Sequence, residues 1–364
     1  MSSVAFLLQP LEIDHFYTIL GPLEKIARKI INRKLAKLII RFFPSFKLTT
    51  VRDITSSMGE KVDVHIVICP LLPEHIVSLD EKIVLGKINK AIDIASKSGA
   101  TIVELSSFIS LVKNDWENTS KKFRVALTTG ENFLAGSILG QLSNASESMG
   151  VRLEKSSLAV ISSSNAIGSL CTKILSQVVN RVILFGKMNE VMSECKTWLK
   201  KNSSVAIDHF ETVEDVSKEA NVILITTNSL TTDLKPVSLK PGSILCDIGI
   251  PPLIAQEVSV KRKDILAFDG RLVELPHCNT IKSKLWKSLF PKRGLLIFGR
   301  LAESIILGFE SRYENFSLGS NTLTPERARE IFNLGKLHGF EITPFRNKNV
   351  TIKIDDIRKT LITV

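Results

Sequence analysis

The chain has 364 residues, 44% of them hydrophobic and 23% charged, and its 48 Lys and Arg against 37 Asp and Glu give a formal charge of +11. At about 100–200 residues per domain this is enough for two packed domains, and the apolar fraction excludes disorder as the main state. A membrane span is excluded as well, because apolar stretches such as Ala36 to Phe43 are cut by Lys37 and Arg41 long before ~18–20 residues accumulate.

At the N-terminus, Val4 to Leu8 is too short an apolar core for a signal peptide and no basic segment precedes it, so a cytoplasmic chain is expected. Five scattered cysteines (Cys69, Cys171, Cys195, Cys246, Cys278), none in a Cys-x-x-Cys pair, argue against a disulfide framework or a structural zinc site and fit a reducing compartment. No histidine spacing predicts a metal site. The charge is concentrated. Gly21 to Lys47 carries eight basic residues against Glu24 alone, and Thr280 to Arg300 carries six with no acid. Such local fields read as docking surfaces for an anionic partner, and the absence of any nucleic-acid-reading motif argues against DNA or RNA. In the first window, Leu23, Ile26, Ile30, Ile31, Leu35, Leu38, Ile39 and Phe42 recur at helical spacing between Pro22 and Pro44. A basic amphipathic helix is expected over 21–47. It either packs its apolar side on the core or faces an acidic protein or anionic lipid at the membrane periphery.

Further along, Lys61 to Cys69 alternates as a strand before the breaker Pro70 to Pro73. Asp80 to Ser98 has helical spacing and ends at Gly99. Thr101 to Leu105 is a short buried strand, and Arg124 to Leu127 a strand leading to a helix over 132–149. Beyond Gly150 the alternation tightens: strands at 158–162, 182–185, 222–226 and 243–247, with helices at 166–178 and 189–200. That rhythm predicts an α/β protein with a Rossmann-like doubly wound parallel sheet. The expected organisation is an N-terminal α/β domain over 1–150, a dinucleotide-binding domain over 151–290, and C-terminal helices over 291–364 that pack back. One long helix is predicted from Gly294 to Glu314 and another from Pro325 to His338.

A dinucleotide loop ordinarily reads Gly-x-Gly-x-x-Gly between strand and helix. Here the loop is Ser162-Ser163-Ser164-Asn165-Ala166-Ile167-Gly168, which keeps only the last glycine. Asn165 tolerates a left-handed backbone, and the hydroxyls can bond phosphate oxygens beside a helix N-terminus; alternatively the loop caps its helix and binds nothing. After the second strand, Phe185-Gly186-Lys187 offers a cation where a ribose-binding carboxylate is usual, which favours NADPH over NADH if a dinucleotide binds.

The order of segments resembles the long-chain acyl-[acyl-carrier-protein] reductases, fatty acyl reductases of the cyanobacterial kind and their bacterial relatives. The resemblance runs from about Phe46 to Phe345. It is carried by Thr128-Thr129-Gly130, the SSSNAIG loop, Cys246-Asp247-Ile248-Gly249-Ile250-Pro251, Asp269 to Glu274, Leu301 to Glu310, Glu314 to Gly319, and His338-Gly339-Phe340. It implies NADPH as cofactor, with Thr226, Asp247 and Gly249 joining the serine loop and Lys187 in its binding. It also implies acyl carrier protein or acyl-CoA as substrate partner, and reduction of the acyl thioester to a fatty aldehyde. In that family a cysteine just before the Ala-Glu of the long helix attacks the thioester. This chain has Arg300 there, which cannot act as a nucleophile, and Glu131 where an asparagine usually follows Thr-Thr-Gly. Thr128, Thr129, Glu303 and Arg300 are the expected catalytic set. Cys278, beside His277, is a candidate substitute nucleophile, although adjacent side chains ordinarily diverge. Two readings follow: a reductase with altered chemistry, or a non-catalytic relative that binds acyl carriers or lipid.

Overall fold

The computed structural model describes residues 2–20, 24–106, 108–109, 112–162, 164–210, 218–227, 234–277, 286–287, 290, 295–347 and 350–363. The chain forms two compact units. The first comprises Met1–Gly130, Pro276–Gly294 and Arg300–Leu318; the second comprises Glu131–Leu275, Leu295–Gly299 and Gly319–Val364. This division starts the second unit at 131 rather than 151, because Leu134, Ile138, Leu142 and Ala145 of the helix Glu131–Met149 belong to that unit's apolar core.

In the first unit, β1 (Ser2–Leu8) is the middle strand of a five-stranded sheet of order β2-β3-β1-β4-β5. The apolar run at its start is core: Val4 to Leu7 have no exposure at all. Three short helices follow, α1 (Ile13–Ile19), α2 (Glu24–Ile30) and α3 (Arg33–Ile40). The single basic helix expected here is broken in two by Asn32, whose Oδ1 accepts the Leu35 N–H at 2.9 Å and caps α3. β2 (Phe46–Thr55) pairs antiparallel with β3 (Lys61–Ile68), and β3 runs parallel to β1. α4 (Pro73–Ser78) and α5 (Glu81–Lys97) lead to β4 (Ile102–Leu105); α6 (Trp116–Phe123) leads to β5 (Ala126–Thr128). The β4 and β5 strands run parallel, with Glu104 opposite Thr128. One face of α5 (Val84, Ile88, Ala91, Ile92, Ala95) covers β1, β3 and β4, a burial worth about 1.5–3 kcal/mol for each large side chain.

In the second unit, α7 (Glu131–Met149) precedes a six-stranded, wholly parallel sheet. Its elements are β6 (Ser157–Ile161), α8 (Ala166–Leu175), β7 (Arg181–Phe185), α9 (Glu190–Asn202), β8 (Ala206–Phe210), β9 (Val222–Ile225), β10 (Ile244–Asp247), α10 (Leu253–Lys261) and β11 (Leu266–Asp269). Their spatial order is β11-β10-β9-β6-β7-β8. Numbered from β6, this is 6-5-4-1-2-3, the doubly wound arrangement of dinucleotide-binding sheets, with its direction reversing between β6 and β9. The strands β6, β7, β9, β10 and β11 are predominantly apolar, with Asp247 and Asp269 at the ends of β10 and β11, as expected of a parallel sheet covered on both faces.

The predicted helix from 294 to 314 is only partly helix. Leu296-Ile297-Phe298 forms β13, paired antiparallel with β12 (Leu272–Glu274), which itself pairs with β14 (Glu341–Ile342). A continuous apolar run fits a buried strand as well as a helical turn, and pairing partners decided it. Helix α11 (Gly299–Phe309) follows, and Ser311 in the left-handed region (φ +52°) closes the turn after it. The C-terminal helices α12 (Pro325–Leu337) and α13 (Ile354–Thr363) pack back on the second unit, burying Ala328 and Ile357 in the core that α7 and α8 share. Among the described residues no helix is long and apolar enough to cross a membrane.

Candidate active site

The crevice outside the carboxyl ends of β6 and β9 is where a doubly wound sheet receives a dinucleotide. Here one side chain spans it. Asn165 caps α8, its Oδ1 accepting the Gly168 N–H at 2.7 Å, while its Nδ2 donates to the Thr226 carbonyl at 3.0 Å. The Thr226 hydroxyl in turn donates to the Ile161 and Ser162 carbonyls, both at 3.0 Å. The backbone that takes the left-handed conformation is Ser162 (φ +70°), whereas Asn165 is extended (φ −104°). The left-handed turn after β6 thus falls one residue before position 163, where a fingerprint ending at Gly168 places its first glycine, and Asn165 stands at the place of its second. Gly168 keeps the role of the last: a Cβ there would lie 2.7 Å from the Ser162 oxygen and 2.9 Å from both Asn165 Oδ1 and Thr226 Oγ1. Ser164 is described and Ser163 lies outside the described residues; the Ser164 carbonyl accepts from Asn189 Nδ2 at 2.9 Å.

At the end of β7, Gly186 (φ +128°) turns the chain and Lys187 is exposed. His209 Nε2 lies 2.8 Å from the Gly186 carbonyl. Asp247, at the end of β10, is committed to its own loop. Its carboxylate accepts the Gly249 N–H at 2.8 Å and the Ala255 N–H at 3.0 Å. Burial nevertheless pushes its pKa up to about 6, helped by the nearby Asp269 charge and opposed by those two N–H groups and Arg271. A Cβ at Gly249 would lie 2.5 Å from the Thr227 carbonyl, so this loop depends on that glycine.

The expected catalytic set lies in the first unit, where the chain brings all four of its members into one network. Glu303 on α11 is fully buried, and both of its oxygens accept hydroxyls: Oε1 from Thr128, Oε2 from Ser317 at 2.9 Å. Thr128 Oγ1 also accepts the Gly130 and Ser317 N–H groups, both at 3.2 Å. Thr129 N donates to the Ser317 carbonyl at 2.8 Å, and its carbonyl accepts Arg300 Nη1 at 3.3 Å. Asn315 Oδ1, accepting from Leu127 N (2.8 Å) and Ser120 Oγ (3.0 Å), pins this stretch to β5. Gly130 (φ +70°) lies so close to α11 that a Cβ would fall 2.0 Å from the Arg300 carbonyl oxygen.

Two members of this neighbourhood have unfilled bonding capacity. Thr129 Oγ1 and both oxygens of Glu104 are buried with no hydrogen-bond partner among the described residues. Glu104, 1% exposed, has its pKa pushed up to about 8, chiefly by burial; the Glu303 charge raises it further and Arg300 lowers it. Glu104 and Ser317 are the functional candidates that sequence reasoning missed. An acid inside the buried strand Ile-Val-Glu-Leu is itself the available signal, and Ser317 stands in a segment that carries the family resemblance.

No described cysteine suits nucleophilic work. Cys69, Cys171, Cys195 and Cys246 are all buried, and burial pushes the Cys69 thiol up to about 12 and raises those of Cys195 and Cys246. Cys278 lies outside the described residues, as do Lys282, Lys284, Lys292 and Arg293 of the second basic window.

No protein-family model matches the chain. Among characterised proteins it is 25% identical over 302 residues to a long-chain acyl-[acyl-carrier-protein] reductase of Synechococcus elongatus, covering 79% of this chain and 85% of that one. It is also 24% identical over 295 residues to the aminotransferase PigE of a Serratia species, covering 80% of this chain and 34% of that protein. The chain therefore spans about a third of the Serratia relative's length. Among solved structures, L-tryptophan dehydrogenase of Nostoc punctiforme matches with a TM-score of 0.41 and 12% identity, over 100% of this chain and 87% of that one. Shikimate 5-dehydrogenase of Listeria monocytogenes matches with a TM-score of 0.38 and 8% identity, over 99% and 96%.

Proposed function

We propose that this protein is an NADPH-dependent reductase that converts an acyl thioester, carried on acyl carrier protein or coenzyme A, to an aldehyde without a covalent acyl-enzyme. The observation that carries the oxidoreductase reading is the Asn165 bridge across the β6–β9 reversal, with Gly168 packed where no side chain fits. The resemblance to the Synechococcus reductase, which spans most of both chains, supports the acyl thioester as substrate.

The second unit's residues fit a dinucleotide. Ser162, Ser164 and the N-terminus of α8 would hold the pyrophosphate, and Lys187 would meet a 2′-phosphate where a carboxylate would repel it. The cofactor supplies a hydride, and the overall reaction consumes one proton while releasing a thiol. The first unit's groups supply the rest. Glu104 keeps its proton at neutral pH and is the acid that neutralises the developing alkoxide. Glu303, held by Thr128 and Ser317, fixes the loop that presents Thr129, whose unpaired hydroxyl is free to bond the thioester carbonyl. Arg300, permanently cationic, stabilises the oxyanion or a carrier phosphate.

Loss of absorbance at 340 nm from NADPH with a long-chain acyl-CoA, together with aldehyde formation, is the direct test. Turnover that survives iodoacetamide treatment supports the non-covalent route. Saturable binding of acyl carrier or lipid without any NADPH consumption would instead make the protein a non-catalytic relative.

A further inference from the structure

The two helices α2 and α3 turn Ala27, Ala36 and Ile40 inward and most of their large apolar residues outward. Ala27, Ala36 and Ile40 join the small core formed with Ile13, Phe16, Tyr17 and Leu72. Ile26 (56% exposed), Ile30 (73%), Leu35, Leu38 and Phe42 (73%) face solvent. Of the two arrangements expected for this segment, core packing or an outward apolar face, these side chains take the second. Ile26 and Ile30 form one stripe of α2 with Lys25 and Lys29 beside it, and Leu35 and Leu38 form another on α3, beside Lys34.

The cations divide into two groups. Arg28 pairs with Asp14 (2.6 Å) and Glu24 (3.0 Å), Arg33 pairs with Asp14, and Lys37 pairs with Glu74 (3.0 Å). These pairs tie the helices to each other and to α1 and α4. Lys25, Lys29 and Lys34 make no ion pair among the described residues, and Arg41 lies over the Phe42 ring at 4.9 Å. The outer face therefore joins a row of large apolar side chains to unneutralised ammonium groups, with no acidic residue but Glu24 between positions 24 and 42.

We propose that this face docks on the surface of an anionic phospholipid bilayer, with Ile26, Ile30, Leu35, Leu38 and Phe42 entering the boundary between headgroups and acyl chains. Lys25, Lys29, Lys34 and Arg41 meet the lipid phosphates. Helices that lie in a membrane interface combine these two chemistries. An acidic protein would satisfy the lysines but leave Ile30 and Phe42 without cover unless it brought an apolar face of its own. A bilayer offers both, phosphates for the cations and acyl chains for the apolar row. The proposal is independent of the reductase reading, since none of these residues belongs to the crevice of the second unit or to the Glu303 network.

The test is sedimentation of the full chain with vesicles of phosphatidylcholine alone and of equal parts phosphatidylcholine and phosphatidylglycerol. Binding is expected only with the anionic vesicles and is expected to fall with added salt. Replacing Lys25, Lys29 and Lys34 together by alanine should weaken it about a hundredfold, from about fivefold per cation. Ile30→Ser with Phe42→Ser should weaken it at least about tenfold. All these positions are exposed, so melting temperatures should match the unchanged protein. Equal binding to both vesicle types, no binding to either, or full binding by the Ile30→Ser/Phe42→Ser variant would overturn the proposal. So would tight association with a purified acidic acyl carrier protein, lost in the lysine variant, when vesicles bring down nothing.

Discussion

Replacing Glu104 by glutamine should change how stability depends on pH. The carboxyl is 1% exposed, has no hydrogen-bond partner among the described residues, and titrates at about 8 instead of the ordinary 4.5. Below pH 4.5 the folded and unfolded chains both hold the proton, so ionisation of the group costs nothing. As pH rises, the unfolded chain ionises while the folded chain cannot, and stability falls by about 1.4 kcal/mol per pH unit until the folded pKa is reached. Between pH 5 and pH 8 this amounts to about 3–4 kcal/mol. Full burial means that solvent does not screen the effect. Glutamine stays neutral in both states and removes this term, while its buried amide adds a roughly constant cost of about 1–3 kcal/mol. Urea unfolding at pH 5, 6, 7 and 8 should show the wild-type stability falling relative to the variant's by about 3–4 kcal/mol across the range. Other groups, including Asp247, titrate in both proteins and cancel in the difference. Parallel pH profiles would refute the assignment of Glu104 as a proton-holding acid.

Three further outcomes follow from the same geometry. Gly130→Ala places a methyl group against the Arg300 backbone at a positive φ and should cost about 3 kcal/mol or more in urea unfolding. An unchanged midpoint would mean that the loop and α11 are not packed as described. Thr128→Val removes a hydroxyl that donates to Glu303 and accepts two N–H groups; a loss of about 2–3 kcal/mol is expected, with thioester reduction falling at least about tenfold. Asp247→Ala strips two buried N–H groups of their acceptor and in urea unfolding should destabilise the chain by about 2–3 kcal/mol at pH 4 and by less at pH 8, because a carboxyl whose pKa rises on folding to about 6 loses part of its contribution as pH climbs from 4 to 6.

Much of the second unit was legible because its strands are short, apolar and separated by helices of regular spacing, a pattern that parallel sheets alone require. The SSSNAIG loop was legible for a different reason: Asn at the cap and Gly two residues into the helix each satisfy a local need that survives without the other glycines. Its geometry was not fully legible, since the left-handed turn fell to Ser162, whose hydroxyl side chain tolerates that conformation no better than most. What the residues did not show locally was tertiary. Val4 to Leu8 reads as a short apolar run and becomes part of a central strand only because β3 and β4 flank it. Leu296 to Phe298 reads as helix until β12 offers a pairing edge. The outward apolar stripe of α2 and α3 has the same periodicity as a core-facing one, so spacing could not tell which way it turned. Glu104 was visible as an acid within a buried strand, but its lack of a partner is a property of the packed unit.

Fluorescence titration with NADPH, with NADH alongside and Lys187→Ala as the variant, tests the central claim most directly. The reductase reading predicts saturable binding of NADPH, weaker binding of NADH, and loss of that preference in the variant, whose cation would otherwise meet the 2′-phosphate. No binding of either nucleotide near millimolar concentration would contradict it. The Asn165 bridge would then be the cap of a helix and nothing more.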